Sequence, residues 1–177
     1  MPATIHEASP ADSPALGHVH VSSWRTSYRG IVPQETLDNL SVEERERRWQ
    51  ERLTNLSPAE CVFVAEDETR RIIGFASGGP TRDGPPLCDG ELYAIYLLQE
   101  AQRQGIGRQL VEAVARRLRG NGCKSMLVRV LAANPACRFY EALGGSRVAE
   151  KQITIGGSPL DSVGYAWSNI SELIGNR

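Results

Sequence analysis

The turn Gln102-Arg103-Gln104-Gly105-Ile106-Gly107 joins an almost unbroken apolar run, Glu91 to Leu98, to a segment whose apolar residues Ile106, Leu110, Val111, Val114 and Leu118 recur at helical spacing. An apolar run without alternation belongs to a strand covered on both faces, so helices must lie on either side of the sheet that holds it. The stripe that follows is one such helix, closed by Gly120-Asn121-Gly122. At the junction the first N–H groups of the helix have no partner within it, and the aligned peptide dipoles add partial positive charge at the same spot. A pyrophosphate is the natural occupant of such a place. Gly105 and Gly107 let the backbone come close, and Arg103 and Arg108 flank the turn with charge.

Two familiar phosphate sites do not fit. A dinucleotide fold needs a third glycine where this chain has Leu110, and an acidic residue at the end of the next strand, which reads Val130-Leu131-Ala132. A P-loop needs a Gly-Lys-Ser/Thr sequence that does not follow this turn. No metal is expected: Cys61, Cys88, Cys123 and Cys137 form no C-x-x-C pair, and His18 and His20 point to different faces of their helix. With a formal net charge of -1, the chain lacks the basic balance of a nucleic-acid binder. Neither a leader-like segment nor a membrane-length apolar run is present, so no membrane partner is expected and the cytoplasm is the expected compartment.

The remaining chain reads as one α/β domain, residues 1–177, with a mixed sheet. A first strand at Thr4 to Ala8 precedes a helix start at Ser9-Pro10-Ala11-Asp12, and that helix carries Leu16, Val19, Ser23, Trp24 and Tyr28 before ending near Gly30. Ser41-Val42-Glu43-Glu44 opens a second helix, followed by a hairpin of Cys61–Ala65 and Ile72–Ala76. The segment Gly78 to Gly90 predicts an exposed loop, and Lys124 to Leu131 another apolar strand. Asn134-Pro135 starts a short helix that stops at Gly144, and the chain finishes in a hairpin of Val148–Ile155 and Leu160–Trp167.

These residues resemble the GNAT superfamily of N-acetyltransferases. Gln102-x-x-Gly105-x-Gly107 matches its acetyl-CoA signature, and Asn134 followed by Phe139-Tyr140-Glu141 and Leu143-Gly144 matches a second one. Trp24-Arg25-Thr26-Ser27-Tyr28-Arg29-Gly30 is similar to the first helix of many bacterial members. Gln99-Glu100 stands where the family often has proline, and Gly145 where it often has an aromatic residue. The resemblance implies a mostly antiparallel sheet with two splayed central parallel strands, helices on both faces, and acetyl-CoA as acetyl donor. Backbone groups of Ile95, Tyr96 and Leu97 would pair with pantetheine. Gln102, Arg103, Gln104, Gly105, Ile106, Gly107 and Arg108 would hold the pyrophosphate, and Asn134 would touch the cofactor. Dimers are common in the family, though the sequence does not demand one.

Direct transfer in a ternary complex needs an uncharged amine, and a lysine-like amine with pKa about 10.4 is mostly protonated at pH 7. Glu91 is the candidate base, with a relayed water as its substitute. Two-residue spacing puts Glu91 on one side with Tyr93 and Ile95. The simpler role for Glu91 is a salt bridge or a solvated strand end. The family places a tyrosine acid at Tyr140, whose plainer role is packing against the sheet. The resemblance implies that Trp24 and Tyr28 wall the acceptor pocket, with Tyr93 beside them; core packing is the plainer role of Trp24 and Tyr28, which stand at helical core spacing. The acceptor is a small-molecule or peptide amine whose identity the residues leave open, as they do the use of longer acyl chains. The rival expectation is a non-catalytic CoA-binding sensor or scaffold.

Overall fold

The apolar run becomes β4 (Gly90–Leu97), the middle strand of a seven-stranded sheet ordered β1-β2-β3-β4-β5-β7-β6. The computed structural model describes residues 3–82 and 87–175. Its other strands are β1 (Thr4–Glu7), β2 (Cys61–Glu66), β3 (Ile72–Pro80), β5 (Met126–Leu131), β6 (Ser146–Ile155) and β7 (Ser158–Trp167). All neighbours run antiparallel except β4 and β5. The helices are α1 (Ser13–Ser27), α2 (Gln34–Asp38), α3 (Val42–Thr54), α4 (Ile106–Gly120) and α5 (Cys137–Ala142).

Helices cover both faces, as the unalternating run in β4 requires. Phe75 of β3 meets the Trp49 ring of α3 at 5.0 Å, whereas a Cβ on Gly78 would strike Val114 of α4 at 2.6 Å. An odd separation along one strand puts those two positions on opposite faces. The α4 stripe is fully used: Ile106, Leu110, Val111, Val114 and Leu118 are all buried. On the other face α1 and α3 lie close because residue 17 is glycine, where a Cβ would sit 2.8 Å from the Glu46 nitrogen. Ser41 caps α3 by accepting from the Glu44 N–H at 3.1 Å.

Several elements differ from the sequence expectations, among them α5, which begins at Cys137 and not at Pro135. The expected loop from Gly78 is shorter, because β3 continues to Pro80 by pairing with β4; residues 83–86 of that loop lie outside the described residues. The Ser9 capping box opens a 3-10 turn at Pro10–Asp12 before α1 begins. Helix α2 has only five residues, too short to display a helical period in sequence.

The third strand pair carries the feature that shapes the site. Ile95 lies opposite Ala76 and Glu91 opposite Gly79, so an odd step on β3 matches an even step on β4. A bulge at Leu92–Ala94 takes up the extra residue. Ile95 therefore faces away from Glu91, against the two-residue rule, and Glu91 and Tyr93 share the α1/α3 face without it.

Candidate active site

Strands β4 and β5 pair only from Gly90 to Leu92 and from Met126 to Val128. Beyond those residues they part, and a cavity of about 530 Å³ opens between them. Its walls include Ala94 to Leu97 on one strand and Val128 to Val130 on the other. Its ends are the turn before α4 with the first residues of that helix, Gln102, Arg103, Gly105, Gly107 and Arg108, and the segment Asn134 to Ala136 with Phe139 and Tyr140.

Backbone direction decides which strand groups face the gap. The Leu98 N–H donates to the Ile73 carbonyl at 2.9 Å, and antiparallel alternation then turns the groups of Tyr96 toward β3. Tyr96 thus leaves the expected set of backbone contacts and enters the wall through its ring. Ile95 and Leu97 face the gap. The Leu97 carbonyl accepts from Ser23 Oγ of α1 and from Gln102 Nε2, both at 3.2 Å, which ties strand, helix and turn together.

The turn keeps the form that an anion site needs. Gly105 has φ of +80° and a Cβ built on it would meet nothing within 4 Å, so the cradle is open on that side. Arg103 is also left-handed, with φ of +59°. Ile106, Gly107 and Arg108 are the first residues of α4, where N–H groups have no intrahelical acceptor. Gly107 serves packing as well, since its Cβ would lie 3.3 Å from both Leu97 and Phe139 side chains. Gln102 and Gln104 secure the turn through their side chains, the latter donating to the Glu100 carbonyl at 2.7 Å. The Ile106 side chain is buried in the core, so only its backbone belongs to the site.

Phenols gather at the inner end. Tyr140 is 5% exposed, and burial, helped by the neighbouring Tyr96, pushes its pKa well above the ordinary tyrosine value. The hydroxyls of Tyr28 and Tyr96 are 3.5 Å apart. Burial raises both of their pKa values, so these groups stay protonated. Asn134 lines the same end, and its Oδ1 accepts from the Ala136 N–H at 2.9 Å, shaping the entry to α5.

Glu91 sits elsewhere. Its side chain is 3% exposed, and its oxygens accept from the Arg82 N–H at 2.9 Å, Arg82 Nε at 3.3 Å and Arg82 Nη2 at 2.6 Å. It does not line the cavity. The expected base is thus a sealed ion-pair partner, because folding brings Arg82 over it from a loop nine residues back. Tyr93 does line the cavity; its hydroxyl donates to the Pro80 carbonyl at 2.5 Å, with the Arg82 guanidinium 4.2 Å from its ring centre. Trp24 stands one layer behind, its ring edge-on to Tyr28 at 4.8 Å, and so supports the pocket wall without forming it. His20 lies deeper, 5.1 Å from the Tyr96 ring centre, and accepts from Trp49 Nε1 at 3.3 Å. Burial, with Arg45 adding to it, lowers the His20 pKa to about 3, so the ring is neutral.

Ser23 and Arg129 were not among the expected site residues. Ser23 carries no sequence signal, since a serine on a helix stripe has many roles. Arg129 does: it is the one charge inside the apolar strand Met126-Leu127-Val128-Arg129-Val130-Leu131.

The chain matches the model of the acetyltransferase (GNAT) family over residues 21–145. It is 44% identical over 170 residues to the uncharacterized N-acetyltransferase YuaI of Bacillus subtilis (strain 168), covering 96% of this chain and 95% of that one. The fold is similar to that of YncA, a putative acetyltransferase from Salmonella typhimurium solved with acetyl-CoA, at TM-score 0.68 and 20% identity, over 94% of each chain. It is also similar to the PaiA N-acetyltransferase of Thermoplasma acidophilum solved with coenzyme A, at TM-score 0.65 and 21% identity, over 92% of this chain and 98% of the other.

Proposed function

The chain belongs to the acetyltransferase (GNAT) family, and from that premise we propose that it transfers acetyl from acetyl-CoA to a primary amine by direct attack in a ternary complex. The observation that carries this reading is the parting of β4 and β5 after Leu92 and Val128, which leads from an open glycine turn to a buried phenol. The residues fit the donor: the turn offers amides and arginines to a diphosphate, and the gap leaves the backbone of Ile95 and Leu97 facing an extended arm. Acetyl-CoA supplies an acetyl group activated as a thioester.

Gly105 to Arg108 bind the diphosphate through backbone N–H groups, and Arg103 and Arg108 add charge. Leu97, whose carbonyl is already taken by Ser23 and Gln102, contributes its remaining backbone group. In this reading Tyr140, whose hydroxyl burial keeps protonated, gives its proton to the departing thiolate. The acceptor amine gives its proton to water at the cavity mouth, since Glu91 is occupied by Arg82. For a lysine-like amine at pH 7 that deprotonation costs about 4–5 kcal/mol. We place the enzyme in the cytoplasm, acting as one domain.

Isothermal titration of the purified protein with acetyl-CoA tests the first half of this reading. Binding below millimolar concentration is expected, and its absence refutes the assignment. Free-thiol release across a panel of primary amines tests the second half; a protein that binds the donor and releases no thiol with any amine is a binding module, not this enzyme.

A further inference from the structure

Arg129 is a guanidinium built into a strand that is otherwise apolar, at the point where β4 has left β5. It lies opposite Gly164 on β7, a partner with no side chain to crowd it. Alternation puts Arg129 on the same face as Leu131. Leu131 packs with Val32 and Leu37, and Trp24 and Tyr28 join the same cluster, so this is the α1/α2 side of the sheet. Val128 and Val130 point the other way and join the core that includes the α4 stripe. Arg129 is thus separated in the fold from Arg103 and Arg108, which stand at the diphosphate turn.

Within the cavity Arg129 shares the wall with Tyr28, Tyr93 and Ala94. Its Nη1 is shut off from solvent. A guanidinium presents a rigid fork of donors that matches a carboxylate in two-point fashion, and water exclusion strengthens such a contact. Among the described residues, the charged side chains that line the cavity are all arginines. Two of them belong to the donor. The third, Arg129, borders the part of the cavity walled by Tyr28 and Tyr93.

We propose that Arg129 determines acceptor specificity by binding a carboxylate carried on the same small molecule as the reacting amine. The acceptor class is therefore an amino acid or a comparable amino-carboxylate, in preference to a di- or polyamine, whose distal ammonium would meet a guanidinium. This rests on the acetyltransferase reading and adds the substrate class to it.

The test uses the full chain and a panel of amino acids, each paired with its carboxamide, together with spermidine. Free-thiol release gives kcat/KM. The best acid is expected to exceed its carboxamide by about 30-fold, the factor of a charge-assisted hydrogen bond. In Arg129→Gln that ratio is expected to collapse toward one while the KM for acetyl-CoA changes less than about twofold, and Arg129→Lys restores part of the preference. An independent readout is the melting temperature of the CoA-saturated protein, which the preferred acids raise in the wild type and do not raise in Arg129→Gln. Equal use of acid and carboxamide, preference for spermidine, a shift confined to acetyl-CoA, or no acid raising the melting temperature each overturns the proposal. If acetyl-CoA itself fails to bind the wild type, the acetyltransferase reading has failed instead. A misfolded Arg129→Gln is recognised by its circular dichroism, and the wild-type acid-to-carboxamide ratio then decides.

Discussion

Replacing Glu91 by Gln keeps the side-chain shape and removes the charge, which separates an anchor from a base. The carboxylate receives three hydrogen bonds from Arg82, one of them from a backbone N–H, and is 3% exposed, while Arg82 is 60% exposed. The guanidinium contacts are partly screened, so they contribute at the low end, about 0–1 kcal/mol together. The backbone contact falls from a charged to a neutral bond, a loss of about 1 kcal/mol. The sum, about 1–2 kcal/mol, lowers the melting temperature by roughly 2–8 °C in a chain of this size. Arg82→Ala is expected to lose more, about 3 kcal/mol, because it leaves the buried carboxylate without its cation. The double variant loses less than the two singles added. Scanning calorimetry of the four proteins measures all of this. Turnover, followed by thiol release, stays within about tenfold of wild type in Glu91→Gln, whereas loss of a working base removes about 10²–10⁴. A hundredfold fall in turnover at unchanged melting temperature would refute the anchor role and return Glu91 to proton transfer.

Tyr140→Phe is expected to reduce turnover by about 10²–10⁴ while acetyl-CoA affinity by titration stays within about threefold; because burial holds the phenol protonated, Tyr140 produces no alkaline fall in turnover at the ordinary tyrosine pKa near pH 10. Gly105→Ala should fold, since the added methyl meets nothing within 4 Å, at a cost of roughly 1 kcal/mol for φ of +80°. It should weaken acetyl-CoA binding by about tenfold by titration, and unchanged affinity would show that the turn does not hold the diphosphate. His20, neutral in the fold with a pKa of about 3, contributes stability that is complete above about pH 6.5 and is lost as the pH falls toward 3, because only the unfolded chain takes up the proton in that window. Urea unfolding of wild type against His20→Gln should show the wild type losing up to about 1.4 kcal/mol more per pH unit between pH 6 and 4; parallel curves would place His20 in water.

Local chemistry was enough to read the turn at Gly105, the α4 stripe, the unalternating strand beside it and the helix that brings Tyr140, because each is a pattern within about fifteen residues whose physical meaning does not depend on what packs against it. The same patterns carried the α/β class and the turn fit for a pyrophosphate, while the splayed strands and the identity of the donor came with the family resemblance. What they did not carry came from residues far apart in the chain. The bulge in β4 depends on its pairing with β3, and it alone turned Ile95 away from Glu91. Arg82 reached Glu91 across the sheet end, and Ser23 reached Leu97 across 74 positions. Arg129 announced itself as a charge in an apolar strand, yet only the divergence of β4 from β5 showed that this charge borders the cavity. Side-chain identity sets what a group can do chemically; which groups meet is settled by strand register and helix packing, and these arise only when the whole sheet closes.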